Sequence, residues 1–278
     1  MSLVTMNEML PQARKEKRAI GAFNVANYET ALAVMKAAEA EKSPVIIQVY
    51  DRLFQSEKAA DIAGTLIRLA QRSSQPIALH LDHGASLEHV AVALHAGYTS
   101  VMLDGSRLPF AENAKLTKLA ADLAHAAGCT SEGEIVHVAQ GDETALTVVA
   151  EAQAFAEATQ VDALAVSIGT VHGYYKSAPH IDVERCREIA QALPGLPLVL
   201  HGGSGTPLAD VRKVIENGIA KVNIYSELTA AWNTAMRDFL NKREMMTCWF
   251  VVACKEPDAA MRKVMREKMR MFKSEGKY

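Results

Sequence analysis

Eight times along this chain a short strand-like run gives way to a segment with apolar residues at helical spacing, and no linker separates one such pair from the next. The runs are Ile20–Val25, Val45–Val49, Ile77–Leu81, Ser100–Leu103, Thr130–Glu134, Ala163–Ser167, Leu198–Leu200 and Lys221–Ile224. After the first, Ala31, Val34, Met35 and Ala38 share one helical face; later helices are expected over Ala59–Arg72, Ser86–His95, Phe110–Ala127, Val149–Thr159 and Asp182–Leu193. Thr206-Pro207 reads as an N-cap with proline at the first helical position, leading to Asn217-Gly218, and Ser226 reads as the cap of a helix to Leu240. Gly97, Gly128 and Pro194-Gly195 supply stops. Short strands covered on both faces, each followed by a helix, suit a parallel sheet, and eight such units in about 240 residues predict a closed (β/α)8 barrel of the TIM type. Asp258–Phe272 adds one basic C-terminal helix, and residues 1–278 read as a single domain.

Composition excludes some roles for such a barrel. Lys and Arg total 30 against 32 Asp and Glu, a formal net charge of −2, which argues against nucleic acid as a partner. Since no apolar stretch approaches the roughly 18 residues of a span, no membrane partner is expected and a cytoplasmic location follows. Cys129, Cys186, Cys248 and Cys254 lack metal-site spacing and read as free thiols. The segment Cys248-Trp249-Phe250-Val251-Val252 is expected to bury itself against the barrel, with a partner-facing role as the alternative.

Barrel topology gathers the residues that follow the strands onto one rim. That rim receives Asp82 and His83 after the third strand, Asp104 after the fourth and Glu134 at the end of the fifth. It also receives His172, His201 and Asn223 from the last three strands. A lone histidine is more often a satisfied core residue. Three at equivalent strand ends instead match a catalytic zinc arrangement of three imidazoles with an open fourth position. His80, which alternates in direction with Leu81, is expected to support the site from inside the barrel. Gly202-Gly203-Ser204-Gly205 and Asn223-Ile224-Tyr225-Ser226 fall where such barrels often hold a phosphate.

The chain resembles the class II, metal-dependent ketose-bisphosphate aldolases, the family of fructose-bisphosphate and tagatose-bisphosphate aldolases. The resemblance rests on Gly21-Ala22-Phe23-Asn24-Val25, Ser43-Pro44-Val45-Ile46, Leu79-His80-Leu81-Asp82-His83-Gly84 and Val101-Met102-Leu103-Asp104-Gly105-Ser106. It continues through Leu164 to Gly173, Leu198 to Gly205, Lys221-Val222-Asn223-Ile224 and the C-terminal Lys268-Met269-Arg270-Met271-Phe272, so it covers nearly the whole chain. By resemblance, His83, His172 and His201 hold one zinc ion per chain, with Asp104 and Glu134 as alternative ligands. Asp82 is implied to be the acid/base at the hydroxyl of the aldehyde-derived carbon. Gly173, Gly202, Ser204 and Ser226 match the cradle for the phosphate of dihydroxyacetone phosphate, Asn223 the contact to its reacting portion, and Asn24 and Gly203 further substrate-binding positions. The implied reaction is reversible cleavage of a phosphorylated ketose, or related keto sugar acid, to dihydroxyacetone phosphate and an aldehyde. Zinc stabilises the enediolate, so no Schiff-base lysine is required. The partner is a phosphorylated sugar, and the family implies a homo-oligomer.

Three stretches depart from the family. Val138-Ala139-Gln140-Gly141-Asp142-Glu143 makes a shorter loop in which Glu143, or alternatively Asp142, takes the second proton-transfer role; a monovalent-cation site often built there is left open. Tyr225 replaces a smaller or acidic residue, and the family's arginine-containing loop is not seen around Trp249. Asp51-Arg52 stands where the aldehyde half is selected, with a surface ion pair as the alternative. A metal-dependent sugar-phosphate epimerase or isomerase, and a non-catalytic metal- and sugar-phosphate-binding paralogue, remain as rival functions.

Overall fold

A computed structural model of the protein describes residues 2–53, 58–137, 145–173, 179–242 and 247–277. Eight parallel strands close in sequence order: β1 (Ile20–Asn24), β2 (Val45–Tyr50), β3 (Ile77–Gly84), β4 (Ser100–Leu103), β5 (Thr130–Glu134), β6 (Ala163–Ala165), β7 (Leu198–Leu200) and β8 (Ile219–Ile224). The ring closes where β1 pairs with β8, Ile20 against Lys221 and Phe23 against Ile224. Helices α2 (Tyr28–Glu41), α3 (Lys58–Arg72), α4 (Leu87–His95), α5 (Phe110–Ala126), α6 (Val149–Thr159), α7 (Val183–Ala192), α8 (Leu208–Glu216) and α9 (Ser226–Asn241) follow the strands in turn. The (β/α)8 architecture is the one the alternating runs predict.

A second apolar cluster closes the floor of the barrel. Small inward positions, Ala78, Ala163, Ala165 and Ala220, leave room at the bottom, and Met6, Met9, Leu10 and Ala13 fill it. They come from a 3-10 turn (Met6–Glu8) and α1 (Leu10–Lys15), which are too short to show a helical period. Fully burying Met6, Met9 and Leu10 contributes roughly 1.5–3 kcal/mol each. With the floor sealed, the rim formed by the strand C-termini is where a ligand enters.

The strand that carries Asp82 and His83 is longer than expected. Its register against β4 shifts between Leu81 and Gly84, and His83 has φ 53°. Simple alternation would send Asp82 and His83 to opposite faces; the left-handed residue inside this bulge turns both toward the barrel mouth. Gly84 completes the device, because a Cβ there would stand 2.5 Å from the carbonyl oxygen of Met102.

Two expected caps are corrected. Helix α8 begins after Pro207 without a side-chain cap, and the Thr206 hydroxyl instead donates to the Gly202 carbonyl at 3.2 Å, bracing the preceding turn. Ser226 is the first residue of α9 and Tyr225 its N-cap position. The segment around Trp249 is corrected as well: Trp249, Phe250 and Val251 are 82, 90 and 74% exposed. The flank is already covered by α11 (Lys255–Met271), which packs on α2 and α9 and buries Met261, Met265 and Met269. The short α10 (Phe250–Ala253) has no core left to join and buries only Ala253. Glu41 on α2 ties α11 down by accepting from Arg266 Nε at 2.6 Å and from Arg270 Nε at 2.8 Å. Among the described residues no helix is long and apolar enough to cross a membrane.

Candidate active site

The barrel brings His83, His172 and His201 together: their ligand atoms lie within 4.8 Å of one another. A second group of the same compactness joins His83 to Asp104 and Glu134. His201 is fully buried, and its Nε2 lies 2.9 Å from Glu132 Oε1 while Lys221 Nζ donates to Glu132 Oε2 at 2.7 Å. Burial alone would raise the Glu132 carboxyl, but Lys221 and His201 outweigh it and hold the group well below the usual carboxylate range. An ionised carboxylate only accepts, so the imidazole proton sits on Nε2. The buried Nδ1 of His201 has no hydrogen-bond partner among the described residues and lies 3.6 Å from Glu134 Oε2.

His83 is held in the same way. Its Nδ1 donates to Asp104 Oδ2 at 2.8 Å, which leaves Nε2 facing the cluster, 3.9 Å from Asp82 Oδ1. Burial pushes this imidazole toward neutrality, but Asp82, Asp104 and Glu134 overcome it and raise its pKa to about 10. His172 goes the other way, to about 3, through burial and the charge of neighbouring His201 and His83. Converging imidazole nitrogens, with two of the rings each oriented by a carboxylate behind it, fit a divalent metal.

Asp82 is set beside this cluster by three amides. Asn24 Nδ2 donates to its Oδ2 at 2.8 Å and Gln48 Nε2 at 3.4 Å, while Asn223 Nδ2 donates to Oδ1 at 3.3 Å. Gln48 Nε2 also donates to Asn24 Oδ1 at 2.7 Å, so β1, β2 and β8 jointly orient one carboxylate. Burial disfavours its charge, yet His83 and Lys221 keep its pKa below the ordinary value. The result is a buried, ionised carboxylate held next to the histidine cluster.

Glycine and serine shape the opposite side. Gly202 has φ 67°, and a Cβ there would meet the Val171 carbonyl oxygen at 2.4 Å; Gly173 has φ 97°. Gly203 serves by close approach, since its N–H donates to Asn223 O at 3.1 Å and a Cβ would meet Val222 at 2.5 Å. Ser204 Oγ accepts from the backbone N–H of Tyr225 and Glu227, at 3.2 and 3.4 Å, which pins the start of α9 and its Ser226 beside the turn. Glu227 in turn accepts from Gly205 N–H and, at 2.8 Å, from Lys268 Nζ on α11. The positive-φ glycines and the start of α9 thereby meet in one concave turn.

A cavity of about 710 Å³ joins these parts. It is lined by Asn24, Asp51, Arg52, Asp82, His83, Asp104, His172, Gly173, Gly202, Ser204, Asn223 and Ser226, all of them expected from the sequence. Glu134, His201 and Gly203 are buried among them. Asp51 is bonded to His89 Nδ1 on α4, whereas Arg52 is exposed. His80 lies below, its Nδ1 2.8 Å from Ser100 Oγ, and burial with the charge of Lys221 brings its pKa to about 3, so it supports the barrel interior as a neutral residue. Asp142 and Glu143 fall outside the described residues. Sequence reasoning missed Gln48, Glu132, Lys221, Tyr50, Arg107 and His137; polar residues within buried strands at the parity of the site were the available signal for the first three.

Residues 4–277 match the sequence profile of the family described as Fructose-bisphosphate aldolase class-II. A sulfofructosephosphate aldolase from Alkalicoccus urumqiensis is 41% identical over 100% of this chain and 99% of its own length. A probable fructose-bisphosphate aldolase from Bacillus subtilis (strain 168) is also 41% identical, over 86% of this chain and 87% of that protein. Among solved structures, the YdjI aldolase from Escherichia coli K12 superposes with a TM-score of 0.89 at 35% identity, covering 99% of both chains. With its closed barrel, converging histidines and full-length match, the chain belongs to the class-II fructose-bisphosphate aldolase family.

Proposed function

We propose that this chain is a zinc-dependent aldolase that reversibly cleaves a phosphorylated ketose, or a related keto sugar acid, into dihydroxyacetone phosphate and an aldehyde. The observation that carries this reading is Asp82, held by three amides with one oxygen 3.9 Å from His83 Nε2, between the histidine cluster and the glycine cradle. The relatives' own names, each an aldolase of a phosphorylated ketose, support the substrate class.

His83, His172 and His201 hold the zinc ion, with Asp104 and Glu134 as alternative ligands. When bound, zinc supplies Lewis acidity that stabilises negative charge on the substrate's ketone oxygen. Gly173, Gly202, Ser204 and Ser226 bind the phosphate, Gly203 lets the backbone approach, and Asn24 and Asn223 position the reacting carbons. In cleavage, Asp82 takes the hydroxyl proton of the aldehyde-forming carbon as the carbon-carbon bond breaks. Glu143, or Asp142, returns a proton to the nucleophilic carbon. Asp51 and Arg52 face the aldehyde half. The reading includes self-association through the exposed Trp249, Phe250 and Val251, which sedimentation of the Trp249→Ser variant tests.

The decisive experiment screens phosphorylated ketoses for release of dihydroxyacetone phosphate by zinc-loaded protein. Turnover is expected to vanish with a chelator and on Asp82→Ala; turnover that survives both, or no release from any ketose, sinks the proposal.

A further inference from the structure

The cavity has two poles. The glycine and serine cradle occupies the β6–β8 side, and the histidine cluster stands in the middle. Among the described lining residues the fixed cations are Arg52, after β2, and Arg107, in the loop between β4 and α5. In the closed ring the β2 and β4 loops stand across from β6 and β8, so on the aldolase reading they face the remaining carbons of a ketose phosphate seated in the cradle with its carbonyl at the histidines.

Arg107 is oriented by a hydrogen-bond chain that runs one way from its guanidinium to Asp104. Its Nη2 donates to His137 Nε2 at 3.0 Å, and because a guanidinium has no acceptor, that nitrogen must accept. His137 Nδ1 therefore carries the proton and points at Ser106 Oγ, 3.3 Å away. The Ser106 hydroxyl donates to Asp104 Oδ1 at 2.6 Å, and Asp104 Oδ2 accepts from His83 Nδ1 at 2.8 Å. Only part of the guanidinium fork is spent on this anchoring. The remaining donors form a planar set suited to a tetrahedral or planar oxyanion.

We propose that Arg107, anchored through His137, is a specificity-determining residue that recognises an acidic group at the substrate end remote from the phosphate cradle. The shared chemistry is an oxyanion, whether phosphate, sulfonate or carboxylate. The inference rests on the aldolase reading and adds to it the residue that reads the distal group.

The test is condensation by zinc-loaded protein of dihydroxyacetone phosphate with four aldehydes: glyceraldehyde, glyceraldehyde 3-phosphate, its three-carbon sulfonate counterpart and malonic semialdehyde. Wild type should prefer at least one anionic aldehyde over glyceraldehyde, and which one identifies the oxyanion. Arg107→Met should lower kcat/KM for that aldehyde by about 10- to 100-fold, the worth of a charge-assisted contact, while leaving glyceraldehyde within about threefold. Arg107→Lys should recover part of the loss, which a folding defect would not allow, and the KM for dihydroxyacetone phosphate should stay put in both variants. Equal losses for neutral and anionic aldehydes, or no anionic preference in wild type, overturn the inference while leaving an active aldolase. A wild-type protein that joins none of the four and cleaves no ketose overturns the aldolase reading and this inference with it.

Discussion

The two walls of the cavity are made of different materials. On the β6–β8 side the ligand meets backbone and small residues: Gly173, Gly202, Gly203 and Ser204, with positive φ or sub-contact spacing wherever a larger residue would have to fit. On the β2–β5 side it meets long side chains, Arg52, Arg107, His137 and Asp104, fixed by hydrogen bonds to one another or exposed at the rim. A wall of backbone has one shape and reads one group. Side chains on surface loops such as Arg52, Arg107 and His137 can be exchanged without moving the barrel, and on the proposed reading they set which partner fragment is accepted.

Asp82 belongs to neither wall, and its loss should exceed any change made to either. Asp82→Asn keeps the shape but removes the proton acceptor, so kcat should fall by about a thousandfold, within the usual range for general acid–base catalysis. Bound zinc, measured by atomic absorption, should remain stoichiometric. A variant that keeps a tenth of wild-type kcat would move the proton transfer elsewhere.

Damage to the backbone wall should come next. Gly202→Ala puts a Cβ at 2.4 Å from the Val171 carbonyl oxygen on a residue with φ 67°, so the turn must shift. A displacement of that size costs about a hundredfold in kcat/KM for every phosphorylated ketose, because a misplaced phosphate misplaces the carbonyl too. Uniform loss across substrates is the expected signature. Loss for some ketoses only would show that the two walls are not separate in function.

Metal binding between the walls should be pH-sensitive through His83. His83, raised to about 10, is cationic in the metal-free protein at neutral pH, and it must be neutral to bind metal. His172, lowered to about 3, is already neutral. Zinc binding therefore releases a proton from His83, and this group alone should raise affinity about tenfold per pH unit between pH 6 and 8. Chelator competition at three pH values measures the slope. Asp104→Asn should lower the pKa of His83 in the metal-free protein, read by NMR titration of the imidazole, because it removes a carboxylate that sustains the imidazolium; an unchanged pKa would deny Asp104 that part.

Legibility in the sequence follows the same division. Strand runs such as Val45–Val49 and the histidines at strand ends are local patterns, and barrel topology alone brings them to one rim. The bulge that aims Asp82 and His83 together depends on one residue in a left-handed conformation, which no periodicity announces. β5 reads Thr-Ser-Glu-Gly-Glu, a polar run, yet all of it is buried: Glu132 finds Lys221 across 89 positions, and Gly133 lets Phe155, Thr117 and Val161 close in from the helix side. Such pairings are visible only once the ring is closed. The Trp249 segment failed for the opposite reason, since an apolar run buries itself only where a surface is still uncovered.

The smallest effect tests how far the backbone wall is stiffened from outside. Lys268 on α11 is buried and donates to Glu227, which in turn accepts from the Gly205 N–H at the edge of the cradle. Lys268→Met leaves that carboxylate without its cation but leaves every lining residue in place. Because the pair is partly solvated, the loss is worth about 1 kcal/mol, so KM for a phosphorylated ketose should rise about fivefold with kcat unchanged. Lys268→Arg should restore most of it. If KM is unmoved, the positive-φ glycines hold the cradle without help and the C-terminal helix serves only to cover α2 and α9; if kcat falls with it, the two walls share a mechanical link through α9.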